Sequence, residues 1–176
     1  VHATAATDIH AALSLLEKTP FLLETMLRGL PSDLLQWKPA PDRWSISEVL
    51  SHLNHIEPVF ADRVRRMITE DNPSLLRYTQ PHLTEPTFYA KGSADEHLAS
   101  LTAARREIVA LVQTAPPSAA TRIGHHSELG TITVANMLNE WASHDLGHIR
   151  QIAELYRARA FYPHSGSFQQ YSDPKP

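Results

Sequence analysis

The feature that most constrains the fold is periodicity: apolar residues return at steps of three and four through four long segments, and no stretch of useful length alternates as a half-buried strand does. The first segment, from about Asp8 to Arg28, carries Ile9, Ala12, Leu13, Leu16, Leu23 and Leu27 on one side and stops at Gly29 before Pro31, with a kink expected at Pro20. The second opens at Ser45, where S-I-S-E sets Glu48 three residues after a potential N-cap serine. Its stripe of Ile46, Val49, Leu50, Leu53, Phe60, Val64 and Met67 reaches about Thr69, with a bend expected at Pro58. A third spans roughly Ala94 to Gln113 and closes at A-P-P-S. The fourth runs from about Thr131 to Arg159, with Val134, Met137, Leu138, Trp141, Ile149, Ile152 and Leu155 inward. T-I-T at 131–133 repeats the S-I-S opening at 45–47, so it reads as a helix start rather than a strand, and the repeat hints at an internal duplication.

Four amphipathic helices with polar connections predict an all-α chain folded as a four-helix bundle. The stretch from Asp71 to Gly92, with Pro73, Pro81 and Pro86, is a long connection of the kind that serves as a crossover or lid. One domain over 1–176 is expected, with a helical core at about 8–159 and a polar tail at about 162–176.

Composition removes several function classes. Sixteen basic against nineteen acidic side chains give a net charge of -3, without the basic field that attracts phosphate backbones, so no nucleic-acid partner is expected. With no cysteine there is no disulfide, thiolate ligand or cysteine nucleophile, and any metal must be held by nitrogen and oxygen. No apolar run approaches the roughly 18 residues that span a bilayer, and V-H-A-T-A-A-T-D lacks a basic segment followed by an apolar one, which predicts a cytoplasmic protein with no membrane partner. H-E-x-x-H, G-x-S-x-G, a glycine-rich phosphate loop and the paired E-x-x-H of di-iron bundles are all missing.

What remains is histidine chemistry. His144 and His148, in E-W-A-S-H-D-L-G-H-I-R-Q, stand one turn apart on one helix face, within a strip that runs Met137, Trp141, His144, His148, Ile152. A single histidine in such a seam is more often a hydrogen-bonded core residue than a ligand, but a pair can share one ion. His52 lies on the flank of its own stripe, near Val49 and Ile56, where grooves between bundle helices hold metal and cofactor sites. His55, one turn further, competes for the third position but sits farther from the stripe, which favours a solvated role. Three imidazoles suit zinc or nickel and leave a position open for water or substrate. Glu57 falls on the apolar face of the second helix and needs a proton or a partner, most simply an arginine, or it supports a metal-bound histidine. Glu140 and Asp145 are further supporting candidates, while His125 and His126 read as exposed loop residues able to cover the site entrance.

W-S-I-S-E-V-L-S-H-L-N-H-I-E, then F-A-D-R-V-R-R, then G-T-I-T-V-A-N-M-L-N-E-W-A-S-H-D-L-G-H-I-R-Q-I, resembles the DinB-like superfamily, which includes the metal-dependent bacillithiol transferases, from roughly Asp8 to Arg159. The resemblance implies a four-helix bundle with a crossover connection and one divalent metal, zinc or nickel, held by His52, His144 and His148. It also implies a homodimer acting on a small molecule. Some members join a low-molecular-weight thiol to an electrophile, since a metal with an open position lowers the pKa of a thiol, or equally of water. Thiol transfer in a detoxification or stress setting is therefore the first expectation, with a thiol as cosubstrate. Metal-dependent hydrolysis of a small amide or ester is the second, and a non-enzymatic metal-binding stress protein the third. No thiol-binding or general-base residue stands out beyond the histidines; Arg77, Tyr78, Phe88 and Tyr89 in the long connection are candidates for substrate contacts.

Overall fold

A computed structural model describes residues 8–83, 85 and 87–176. Its helices are α1 (His10–Leu27), a single turn α2 (Ser32–Leu35), α3 (Ile46–Thr69), α4 (Ala94–Thr114) and α5 (Val134–Tyr156). The three strands are β1 (Ser74–Leu75), β2 (Ile123–His126) and β3 (Gly130–Thr133). Three long helices begin on reciprocal capping boxes, Ser45 with Glu48, Ser93 with Glu96 and Thr133 with Asn136, in which each partner satisfies a backbone N–H left open by the first turn. The matching T-I-T and S-I-S openings thus share a capping function.

α1 packs mainly on α4 and α5, and α3 packs on the same two, so α1 and α3 stand on one diagonal of the bundle. Pairings give the directions. Asn54 meets His97 and Glu57 meets Arg105, so α3 and α4 run the same way and the chain between them must travel back along the bundle. His52 faces His148 while Phe60 faces Trp141, so α5 runs opposite to α3. The long connection is therefore a crossover, carrying β1 and two short 3-10 turns at Pro81–Leu83 and Phe88–Ala90.

Two apolar clusters fill the interior, one around Phe60, Val64 and Trp141, the other around Leu23, Val49, Leu53 and Ile152. Each fully buried leucine contributes about 1.5–3 kcal/mol relative to an exposed one. On α5 the first cluster ends at Trp141 and Ala142 and the second begins at Ile149, so His144 and His148 occupy the step between them.

Between the helices sits one buried arginine. Arg105 is 1% exposed, and its five N–H groups all have acceptors: Glu57 on α3 at 2.7 and 2.7 Å, Asp145 on α5 at 2.7 and 3.3 Å, and the carbonyl of Leu16 on α1 at 2.9 Å. That carbonyl is available because Pro20, four residues on, has no N–H to donate to it. α1 runs unbroken from His10 to Leu27 through Pro20, and α3 likewise passes Pro58. The arginine partner foreseen for Glu57 is thus Arg105, and it joins all four long helices.

The expectation of no strand is corrected. β2 and β3 form an antiparallel hairpin, Ile123 opposite Thr133, and β1 adds in parallel through Ser74 opposite His125. Residues 131–133 belong to β3 and α5 starts at Val134, because Thr133 caps the helix from an extended backbone. Gly124 has no room for a side chain: a Cβ there would lie 2.8 Å from Leu75 and 3.0 Å from Met67. Arg122 ties the hairpin to the end of α3 by donating to the carbonyls of Met67, at 2.7 Å, and Glu70. His125 and His126 accordingly lie on β2 rather than in a loop, and His126 is buried. The tail beyond Tyr162 forms short 3-10 turns and returns to α5, where the Lys175 amide donates to Glu154 at 2.9 Å. No helix among the described residues is long and apolar enough to cross a membrane.

Candidate metal centre

His52 projects from the first third of α3 and His144 and His148 from the middle of α5, across the antiparallel α3–α5 groove. Each offers a ring nitrogen, and the three lie within 4.8 Å of one another. Nε2 of His52 and Nε2 of His144 are 3.2 Å apart. The structure brings together the three histidines singled out in the sequence and leaves His55 outside, packed edge-on against Phe88 with ring centroids 4.9 Å apart.

The outer nitrogens set the inner ones. Nδ1 of His148 donates to Oε1 of Gln151 at 2.9 Å, which leaves a lone pair on its Nε2. Nδ1 of His52 meets the Tyr89 hydroxyl at 3.1 Å. Nδ1 of His144 is buried with no hydrogen-bond partner among the described residues. Burial, reinforced by the neighbouring histidines, depresses His52 to about 3. Burial and His148 depress His144 to about 4, against the opposing pull of the Asp145 carboxylate. His148 is also lowered by burial, with Gln151 and Asp145 opposing. All three imidazoles are therefore neutral at pH 7, the state that ligates a metal.

This donor set fits a divalent ion. Two nitrogens on one tetrahedral zinc, each at about 2.0–2.1 Å, stand about 3.3–3.4 Å apart. The 3.2 Å between the two Nε2 atoms is close to that spacing, and in neutral rings only one of the two can donate to the other. Outer-nitrogen bonds such as those from Tyr89 and Gln151 are the usual means of fixing ring orientation at a metal.

The surroundings are aromatic. Trp44, just ahead of α3, has its ring 5.0 Å from His52 and lies nearly parallel to His148, with centroids 6.3 Å apart. His82 and Tyr89 from the crossover pack on Trp44 at 5.1 Å each, and Phe60 meets His144 edge-on at 5.4 Å. Burial raises the Tyr89 phenol, and Tyr78 adds to the effect, so its hydroxyl stays protonated. Of the buried carboxylates nearby, Glu57 and Asp145 are both bonded to Arg105, and Glu48, one turn before His52 on α3, is held by the Ser45 amide and Lys38. Burial alone would raise Glu57, with Arg105 opposing, and burial alone would lower Arg105, with the two carboxylates overcoming it. Glu140 is exposed and lines a neighbouring recess rather than supporting a histidine. Of the crossover candidates, Tyr89 reaches the group and Phe88 packs on His55, while Arg77 is exposed and pairs with Glu128.

The sequence reading missed Trp44, His82 and Gln151. Gln151 carried a signal, since it follows His148 by three residues on the same helix face; His82 had none, because a 3-10 turn in a crossover has no periodicity to read.

The family model of the DinB superfamily matches residues 15–152. The chain belongs to the DinB superfamily. A protein of Oceanobacillus iheyensis, named provisionally as a metal-dependent hydrolase, is 23% identical over 144 residues, 82% of this chain and 83% of its own length. YfiT of Bacillus subtilis, described, again provisionally, as a metal-dependent hydrolase with an unusual four-helix bundle topology, superposes with a TM-score of 0.76 at 22% identity, covering 85% of this chain and 86% of the other. This DinB-superfamily chain has the same fold, and its parallel α3–α4 pair with a full-length crossover departs from a simple up-and-down bundle.

Proposed function

We propose that this protein is a metal-dependent enzyme that holds one zinc or nickel ion through His52, His144 and His148 and transfers a low-molecular-weight thiol to a small electrophile. The carrying observation is the pairing of three neutral, convergent imidazoles with aromatic walls and the engagement of Glu57 and Asp145 by Arg105. An ion held by three imidazoles with a position open acts as a Lewis acid and lowers the pKa of a small ligand placed there. The protein's own part is to exclude water and orient. Trp44 and Phe60 wall the site, and Tyr89 and Gln151 keep the histidine lone pairs facing inward. A thiol needs only its own proton removed, so a site without a free carboxylate base suits it.

A second reading, hydrolysis of a small amide or ester, is favoured by the names of the two relatives. It asks the site for an additional base, for which His82, packed on Trp44 with a buried Nδ1 that lacks a partner among the described residues, is a candidate.

Elemental analysis of tag-free protein, wild type against His52→Ala and His144→Ala, tests the centre; one ion per chain, lost in both variants, is expected. The loaded protein is then given a chromogenic aryl electrophile with and without a small thiol, and an aryl ester alone. Product that requires thiol supports transfer, ester turnover without thiol supports hydrolysis, and wild type that takes up no ion after reconstitution removes both.

A further inference from the structure

The α3–α5 groove continues past the histidines into a recess of about 380 Å³ between α3, α5 and the β2–β3 hairpin. Phe60 belongs to both places, since it lies edge-on to His144 and also lines the recess. Glu140 is one turn from His144 on α5. The recess residues of α5, Asn136 to Glu140, and the histidines at 144 and 148 are centred about eight residues apart, about 12 Å along the helix axis. Its walls are Phe60, Ile132 and Met137, with Leu129, 71% exposed, at the hairpin tip.

The polar atoms of the recess are mostly donors. Arg63 gives one N–H to the Leu76 carbonyl at 2.7 Å and forms no ion pair among the described residues, so the rest of a half-buried guanidinium remains available. His126 accepts the Glu128 and Leu129 amides on Nδ1, at 3.2 and 3.3 Å, which fixes its proton on Nε2 and makes that atom a donor. Asn136 accepts the Thr133 amide on Oδ1, at 3.0 Å, which assigns its free end as NH2. Glu140 is the one carboxylate of the lining, and it lies on the exposed side, where solvent screens it. A cationic group and two neutral donors around an apolar chamber match an organic anion.

We infer that this recess binds the substrate's carboxylate end through Arg63, His126 and Asn136, with an apolar body along Phe60 and Met137 and the reacting atom about 12 Å away at the histidines. The inference rests on the histidines being the reaction centre, but the recess is testable without any metal. A charge-assisted hydrogen bond outweighs a neutral one.

The experiment titrates metal-free protein with 4-phenylbutanoate and with 4-phenylbutanamide, by calorimetry and by the methyl signal of Met137. Expected is binding of the acid about tenfold tighter than the amide, with the Met137 signal shifting. Arg63→Met should abolish that preference. Asn136→Asp keeps an oxygen for the Thr133 amide, so the helix cap and melting temperature survive, while the acid weakens about tenfold or more and the amide does not. Equal affinity for acid and amide, no binding of either, a preference that survives Asn136→Asp, or binding that leaves Met137 unmoved would each overturn the assignment. Acid binding by a protein that takes up no ion would defeat the metal reading while leaving the recess; ion uptake without acid preference would do the reverse.

Discussion

The Arg105 cluster and the three-histidine group are neighbours on α5, Asp145 following His144 in the chain, yet their polar atoms are treated in opposite ways. Around Arg105, five N–H groups meet four carboxylate oxygens and a carbonyl, and no solvent reaches them. Among the histidines, Nδ1 of His144 has no partner among the described residues and two Nε2 atoms confront each other at 3.2 Å. A satisfied ionic cluster holds helices in place and has nothing left to bind with; an unsatisfied neutral one, with two of its three histidines only partly buried, is what a ligand completes. The contrast also explains how the protein keeps Glu57 and Asp145 buried beside a candidate cation site without offering them as ligands: Arg105 fixes both.

The largest expected effect comes from opening the closed cluster. Arg105→Met leaves two carboxylates buried without a counter-charge, which should cost about 3–5 kcal/mol of stability in the metal-free protein. For a chain of this size that is a fall of the order of 10 °C in melting temperature. Denaturant unfolding of the variant measures it, and a loss under about 1 kcal/mol would mean that the carboxylates take up protons or water easily and that the cluster is less closed than its geometry implies.

A smaller effect should follow from loosening the open group. Tyr89→Phe removes the hydroxyl that meets His52 Nδ1 without removing the ring that packs on Trp44. Metal affinity should fall about 10–100-fold, the usual consequence of losing such a partner, while unfolding of the metal-free protein changes little. Competition with a chromogenic chelator reads the affinity. An unchanged value would assign the orientation of His52 to Trp44 packing alone.

The same two clusters mark what the sequence could tell. The four long helices were legible because each carries an apolar stripe, and the α3 start because Ser45 and Glu48 spell its cap. The histidine group was legible because an i, i+4 pair on a buried face has few other uses and His52 flanks the facing groove. Arg105 was not singled out, although it sits in a stripe with Leu101, Ile108 and Val112, a charge among apolar residues that demands a partner. The hairpin escaped because four-residue strands carry too few alternations to register, and Thr131 to Thr133 looked like the first turn of the helix they cap. Tyr89 and Trp44 act from segments without periodicity: the crossover's path brings Tyr89 to the histidines, and Trp44 reaches them from the turn just ahead of α3.

The smallest effect, and the sharpest probe of how the closed cluster is built, concerns Pro20. Its missing N–H leaves the Leu16 carbonyl to Arg105, so the proline and the arginine should be coupled although one lies on α1 and the other on α4. Pro20→Ala restores a helix donor to that carbonyl, which has two lone pairs and can accept both. In the wild-type background the carbonyl is already satisfied, so the benefit is limited to backbone propensity, offset by a small loss of buried volume and a more flexible unfolded chain. In Arg105→Met the carbonyl is bare, and the alanine N–H should recover about 1 kcal/mol more than it does in wild type. A double-mutant cycle on the metal-free protein isolates this difference. A coupling near zero would show that the Leu16 carbonyl finds another donor when Arg105 is gone, and would reduce the cluster from four helices to three.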